Sequence, residues 1–225
     1  MAQKIIVEGD TDIHFITHLC MVRKVDAPKG YKIKAKYINE FVSVAGSKSK
    51  LLNELKLLIK NPSLDIQNLG LILDADSQTK NAAIDTWLSI KAILEKAGYE
   101  NLPDTPNAIG TIIEQEDKPK IGIWIMPNNL SNGYLEDFYE QLIHKEDEFW
   151  QKSVEITEGF VENKNNRFKE IALQKAKVHT WLAWQENPEL PLGLSISANA
   201  KYLNFDTPLV DNFIEWFKNT FELET

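Results

Sequence analysis

Short apolar runs alternating with segments of helical period predict an α/β fold. The expected architecture is a mainly parallel, four-stranded sheet flanked by helices, followed by a helical C-terminal extension. The run Leu69-Gly70-Leu71-Ile72-Leu73 is apolar without alternation, as a strand buried on both faces must be, and such strands belong to parallel sheets. Three further runs of this kind, 4–7, 41–46 and 121–126, are followed by turn residues and a helical pattern. After Trp150 the strand signal stops and helical periodicity takes over. The boundary therefore falls near 146, giving an α/β domain over 1–146 and a helical extension over 147–225 packed on it.

Taken in order, Lys4-Ile5-Ile6-Val7 forms the first strand and ends at Glu8-Gly9. Asp10 or Thr11 then caps a helix whose inner face carries Ile13, Ile16, Leu19 and Cys20. Residues 25–39 read as a loop and a mixed, partly extended segment. The strand 41–46 gives way to Ser47, a good cap for a helix burying Leu51, Leu52, Leu55, Leu58 and Ile59, which Asn61-Pro62 ends. The strand 69–76 is followed by a helix from 80 to 97, closed by Gly98. Residues 101–120 form a polar, proline-containing loop with room for a short strand at 109–113. The strand 121–126 stops at Pro127, and the loop 128–133 leads into a helix starting near Tyr134. In the extension, 160–186 reads as helix throughout, 187–193 as a loop, and 207–221 as an amphipathic helix carrying Leu209, Val210, Phe213, Trp216 and Phe217.

A hydrophobic fraction of 43% in 225 residues is ample for a packed core. Cys20 is the single cysteine, so no intrachain disulfide can form. No run reaches the length of a membrane span, and Ile5-Ile6-Val7 is cut off by Glu8 before it could serve as a signal peptide. A cytoplasmic protein without membrane contact is expected. The net charge of −8 and only two arginines, Arg23 and Arg167, disfavour a phosphate-tracking surface of ordinary kind. An acid cluster that binds divalent cations accounts for part of that excess.

Acids stand at the ends of three strands. Glu8 ends the first, Asp74 and Asp76 end the third, and Glu136-Asp137 lie just past the fourth on its helix. Parallel strands run one way, so all three positions fall on the carboxyl rim, where open α/β sheets hold ligands. If the strand continues extended, alternation points Asp74 and Asp76 the same way. The pair also suits a plainer role, Asp76 capping the next helix with Asp74 in the turn. Mg²⁺ or Mn²⁺ takes hard oxygen ligands, through one or two carboxylates with waters and substrate phosphates completing the shell.

These residues resemble a known family. Val7-Glu8-Gly9-Asp10-Thr11-Asp12 and Leu73-Asp74-Ala75-Asp76 look like the two signatures of the Toprim domain, a strand-ending glutamate and an Asp-x-Asp pair. That domain occurs in type IA and type II topoisomerases, bacterial primases and the overcoming-lysogenisation-defect nucleases. More closely, the chain is similar to an uncharacterised family of small bacterial and archaeal Toprim-related proteins. That similarity extends to Trp124-Ile125-Met126-Pro127-Asn128-Asn129, Gly133-Tyr134-Leu135-Glu136-Asp137 and His179-Thr180-Trp181-Leu182-Ala183-Trp184-Gln185. The resemblance implies a Toprim-like, Rossmann-like fold. It also implies Mg²⁺- or Mn²⁺-dependent cleavage or handling of nucleic-acid phosphodiesters, in mobile-element or phage defence. Glu8 would be a metal ligand or general acid/base, Asp74 and Asp76 would hold the ion, and Glu136 with Asp137 would complete a second metal position. Two ions in such a site clamp the attacking and leaving oxygens. No tyrosine-bearing cleavage domain, cysteine cluster or Walker A motif is present, so topoisomerase, primase and ATPase activities are not implied. The rival reading is a non-catalytic module of the same fold that binds protein or nucleotide.

Other candidates carry less. His14 and His18 have the i, i+4 spacing of a zinc pair, yet no obvious third ligand accompanies them, and surface or half-buried histidines are the plainer reading. Lys164, Arg167, Lys169, Lys175, Lys177 and His179 make the most basic region, mostly a solvated face. Lys177 and His179 are the exceptions expected to reach a phosphate, and they join Glu8 as catalytic candidates. Trp181 and Trp184 read as core rather than as a base-stacking platform.

Overall fold

The computed structural model describes residues 2–26, 41–76 and 79–223, and within them the four expected strands pair and a fifth joins them. The strands are β1 (Ala2–Val7), β2 (Val42–Val44), β3 (Ile66–Asp74), β4 (Thr111–Ile113) and β5 (Lys120–Met126), in the spatial order β2-β1-β3-β5-β4. β2, β1, β3 and β5 run parallel, and β4 pairs antiparallel on the edge of β5. The sheet thus has five strands rather than four. The fifth lies inside the polar loop 101–120, within the room left for a short strand at 109–113, and its three pairing residues are too few to give a periodic signal.

Among the described residues the helices are α1 (Asp10–Val22), α2 (Lys48–Leu58), α3 (Ala82–Lys96), α4 (Leu135–Glu140), α5 (Glu148–Glu162), α6 (Leu173–Leu182), α7 (Leu192–Ala198) and α8 (Pro208–Phe221). Ser47 caps α2 as expected, its hydroxyl accepting from Lys50 N–H at 3.4 Å. The expected helix over 160–186 is instead two helices with a break between Glu162 and Leu173, and 187–193 leads directly into α7. The loop and mixed segment expected at 25–39 falls, from residue 27 on, outside the described residues. No helix among the described residues is long and apolar enough to cross a membrane.

Helices cover both faces of the sheet, which is why β3 is apolar without alternation. Leu69, Leu71 and Leu73 pack with Ile6, Ile121, Ile123 and Ile125 against Leu51 and Leu55 of α2 and Trp87, Ile90 and Leu94 of α3. On the other face Ile5, Val7, Ile72, Trp124 and Met126 join Phe15 of α1 and Phe213, Trp216, Phe217 and Phe221 of α8 in one core. α8 rests on the strand backbone itself. Gly70 and Gly122 are register partners beneath it, and a Cβ on either would run into Phe221 or Thr220. The C-terminal segment therefore supplies much of the cover of this face. Trp181 is fully buried and donates to Asp147 at 3.1 Å, fixing α6 to the start of α5. Trp184 departs from its expected core position, being 37% exposed with its ring edge-on to Phe149.

Candidate functional site

β1 has β2 on one side and β3 on the other, so the chain leaves these central strands in opposite directions. Their carboxyl ends splay apart at that switch point and leave a crevice, the place where doubly wound sheets take ligands. Glu8 directly follows β1 and Asp74 is the last residue of β3.

Each acid is held by an identifiable device. Gly9, not Asp10 or Thr11, is the N-cap of α1, and Asp12 reaches back so that its Oδ2 accepts from Gly9 N–H at 2.7 Å. That bond draws Asp12 into the crevice, where it is only 8% exposed. Glu8 Oε2 lies 3.4 Å from the Asp74 backbone N–H. Asp74 Oδ1 accepts from Leu135 N–H at 3.1 Å, which ties β3 to the start of α4 and brings Glu136 to the same rim. The loop before α4 is anchored by Asn129, whose Oδ1 accepts from Ile125 N–H at 2.8 Å beyond the reach of short β4.

Burial pushes Asp74 up to about 8, and the charges of Asp12, Glu8 and Glu136 add to it while Lys175 opposes. Burial likewise pushes Asp12 up to about 7; the Gly9 N–H and Lys175 work against that rise, and Glu8 and Glu136 work with it. Carboxyls crowded in a poorly solvated crevice give up charge because each ionised group disfavours the next. A bound cation reverses that preference.

Of the residues singled out from sequence, Glu8, Asp74 and Glu136 converge. Asp76 does not follow Asp74, because β3 ends there and Asp76 takes a left-handed backbone with φ 70°. Its backbone exchanges two hydrogen bonds with Gly133, at 3.0 and 2.8 Å. Its carboxylate pairs with Lys48 at 2.5 Å, and the same ammonium donates to the Ala75 carbonyl at 3.2 Å and Thr86 Oγ1 at 3.1 Å. Nor does Asp76 cap the next helix, since Asn81 holds that position. Asp137 accepts from Tyr134 N–H at 2.7 Å as the capping acid of α4, and burial raises its pKa. Lys177 is ion-paired with Glu158 at 2.5 Å, and with Asp137 it borders a separate cleft of about 560 Å³. His179 reaches Glu136 at 4.0 Å.

Two members of the site were passed over in the sequence. Asp12 sits three residues after a glycine N-cap, the place from which a capping side chain turns back. Lys175 lies one helical turn before His179 and therefore shares its face, which Lys177 does not. Lys175 Nζ is 3.6 Å from Glu136 Oε2 and 4.6 Å from the centroid of the Tyr134 ring.

Among the described residues no three His, Cys, Asp or Glu side chains are gathered closely enough to cage a metal ion. The all-oxygen donors Glu8 and Asp74 suit a hydrated Mg²⁺ or Mn²⁺ held through one or two carboxylates, and they do not suit a soft metal. His14 and His18 are both half-buried, and His18 Nδ1 is engaged by Ser197 Oγ at 2.6 Å.

No curated protein and no solved structure matches the chain. Residues 2–222 match the profile of a family described as "Protein of unknown function (DUF3226)", and over almost its whole length the chain belongs to that family.

Proposed function

We propose that this protein is a Toprim-related phosphodiesterase that acts on nucleic acid with Mg²⁺ or Mn²⁺. One observation carries the reading. Glu8, Asp12, Asp74 and Glu136 lie within electrostatic reach of one another at the β1/β3 switch point, and burial, with the charges of the other three adding to it, pushes Asp74 up to about 8. Strongly perturbed acids in a crevice of this kind are a functional-site signature.

Glu8 and Asp74 would hold the ion, and Glu136 would complete the negative wall or a second position. A bound cation would supply charge neutralisation at the phosphate and an activated water. The chain's own residues do the rest. Asp12, pushed to about 7, is able to carry a proton at neutral pH from a fixed position set by Gly9 N–H. The Leu135 N–H orients Asp74, and His179 stands on the open side of Glu136, where a phosphate would approach. The net charge of −8 favours a second reading, a non-catalytic module binding protein or nucleotide through the same crevice.

The purified protein should be incubated with single- and double-stranded DNA, RNA and small phosphodiesters in Mg²⁺ or Mn²⁺. Cleavage of at least one, abolished by chelator and lowered about a hundredfold or more by Glu8→Gln or Glu136→Gln, is the expected result. No cleavage of any substrate, or cleavage that survives both substitutions unchanged, would overturn the proposal in favour of the binding module.

A further inference from the structure

The two lysines nearest the rim differ in how firmly they are held. Lys48 has Asp76, the Ala75 carbonyl and Thr86 as acceptors, with the carboxylate at 2.5 Å. Its position is fixed. Among the described residues Lys175 has one carboxylate partner, Glu136, at 3.6 Å, beyond the range of a good hydrogen bond. Its side chain is 43% exposed while that of Glu136 is 13% exposed, so the acid is built in and the lysine leans over it. Apart from that long pair, only the face of the Tyr134 ring, 4.6 Å away, is in contact with the ammonium among the described residues, and neither contact holds a flexible side chain as firmly as the three acceptors around Lys48.

Lys175 nonetheless acts on the whole crevice. Its ammonium lies within electrostatic reach of Asp12, Asp74 and Asp137 as well as of Glu136. His179, one turn along α6, approaches the other oxygen of Glu136 at 4.0 Å and is 57% exposed. The exposed edge of α6 thus lines one side of the acid crevice with groups that prefer anions.

We propose that Lys175 is the exchangeable counter-ion of this crevice: it pairs with Glu136 when no cation is bound, and turns to a substrate phosphate when one is. The inference rests on the divalent-cation reading above and adds to it the residue that selects an anionic substrate. A cation at Glu8 and Asp74 competes with the Lys175 ammonium for the same negative charge, so the lysine weakens cation binding. With the negative charge of the crevice offset by that cation, Glu136 holds the ammonium less firmly, and the ammonium, on the exposed edge beside His179, turns to a phosphoryl oxygen. Removing Lys175 must therefore move two affinities in opposite directions. A merely structural lysine would move neither, or both together.

The test uses the full chain with Lys175→Met and the charge-conserving Lys175→Arg. Mn²⁺ binding is measured by calorimetry, and inorganic phosphate is then titrated into each Mn²⁺-saturated protein. A unit positive charge within several ångströms of a divalent ion, screened as in water, shifts its Kd on the order of tenfold. Lys175→Met should bind Mn²⁺ more tightly by about that factor and phosphate about tenfold or more weakly, with Lys175→Arg close to wild type in both. Unchanged affinities in Lys175→Met, or shifts of the same sign, overturn the inference and leave the cation site standing. A wild-type protein that binds no Mn²⁺ overturns the cation reading and the inference with it.

Discussion

Asp74→Asn should make the metal-free protein more stable at neutral and alkaline pH. Burial pushes Asp74 from its ordinary 3.8 up to about 8, with the charges of Asp12, Glu8 and Glu136 adding to the rise. A carboxyl whose pKa is higher in the folded state holds its proton more tightly there. Its contribution to stability is intact below about pH 4, is lost as pH rises, and is gone above about pH 8. At about 1.36 kcal/mol per pH unit, the ceiling on that loss is about 5–6 kcal/mol. Asp12, pushed to about 7 mainly by burial, titrates in the same crevice, and its charge adds to the rise of Asp74, so the two titrations overlap. The single variant should therefore recover roughly half the ceiling, about 2–3 kcal/mol near pH 8. Asparagine matches aspartate in size and keeps Oδ1 for the Leu135 N–H, so the change removes charge without opening a cavity. The assay is urea denaturation in chelator at intervals from about pH 5 to about pH 9. Wild type should lose stability across that window while Asp74→Asn changes much less. Parallel profiles for the two proteins would refute the reasoning, because burial and the neighbouring acids would then not hold a proton on Asp74.

Lys48→Met should cost about 1–2 kcal/mol in urea denaturation, since it removes the partner of a half-buried Asp76 and leaves the Ala75 carbonyl and Thr86 without that donor; wild-type stability would remove the turn from the account. Gly122→Ala should cost about 1–3 kcal/mol, because its methyl would enter the space of buried Thr220 and force α8 off the sheet. A thermal melt equal to wild type would show that α8 does not bear on the strand backbone as described.

The centre of the fold was legible because burial on both faces leaves a direct mark on sequence. β3 and β5 read as unbroken apolar runs, and the helices covering them read as amphipathic. The edge was less so. β4 is three residues long and draws its pairing from β5, so the sequence offers room for a short strand at 109–113 but not its place in the sheet. α7 forms where Gly193 meets the α1 backbone near Thr11 and Phe15, a contact between segments far apart in the chain. The glycines under α8 were visible, yet their meaning depends on a helix that arrives about a hundred residues later.

The acid crevice divides along the same line. Glu8 and Asp74 follow from strand ends alone, and Glu136 follows from the short connection after β5. Asp76 was misplaced because alternation holds only while the backbone stays extended, and here it turns left-handed where Gly133 and Lys48 hold it. Asp12 and Lys175 were missed for a different reason. Strand-end reasoning counts residues along the sheet, whereas these two enter on helices, one by capping and one by the period of α6. Helical phase, counted back four residues from His179, selects Lys175 over Lys177 from the sequence alone. A parallel sheet gathers the acids at its switch point, and the capping bonds and phases of the helices that follow decide which of those acids stay there.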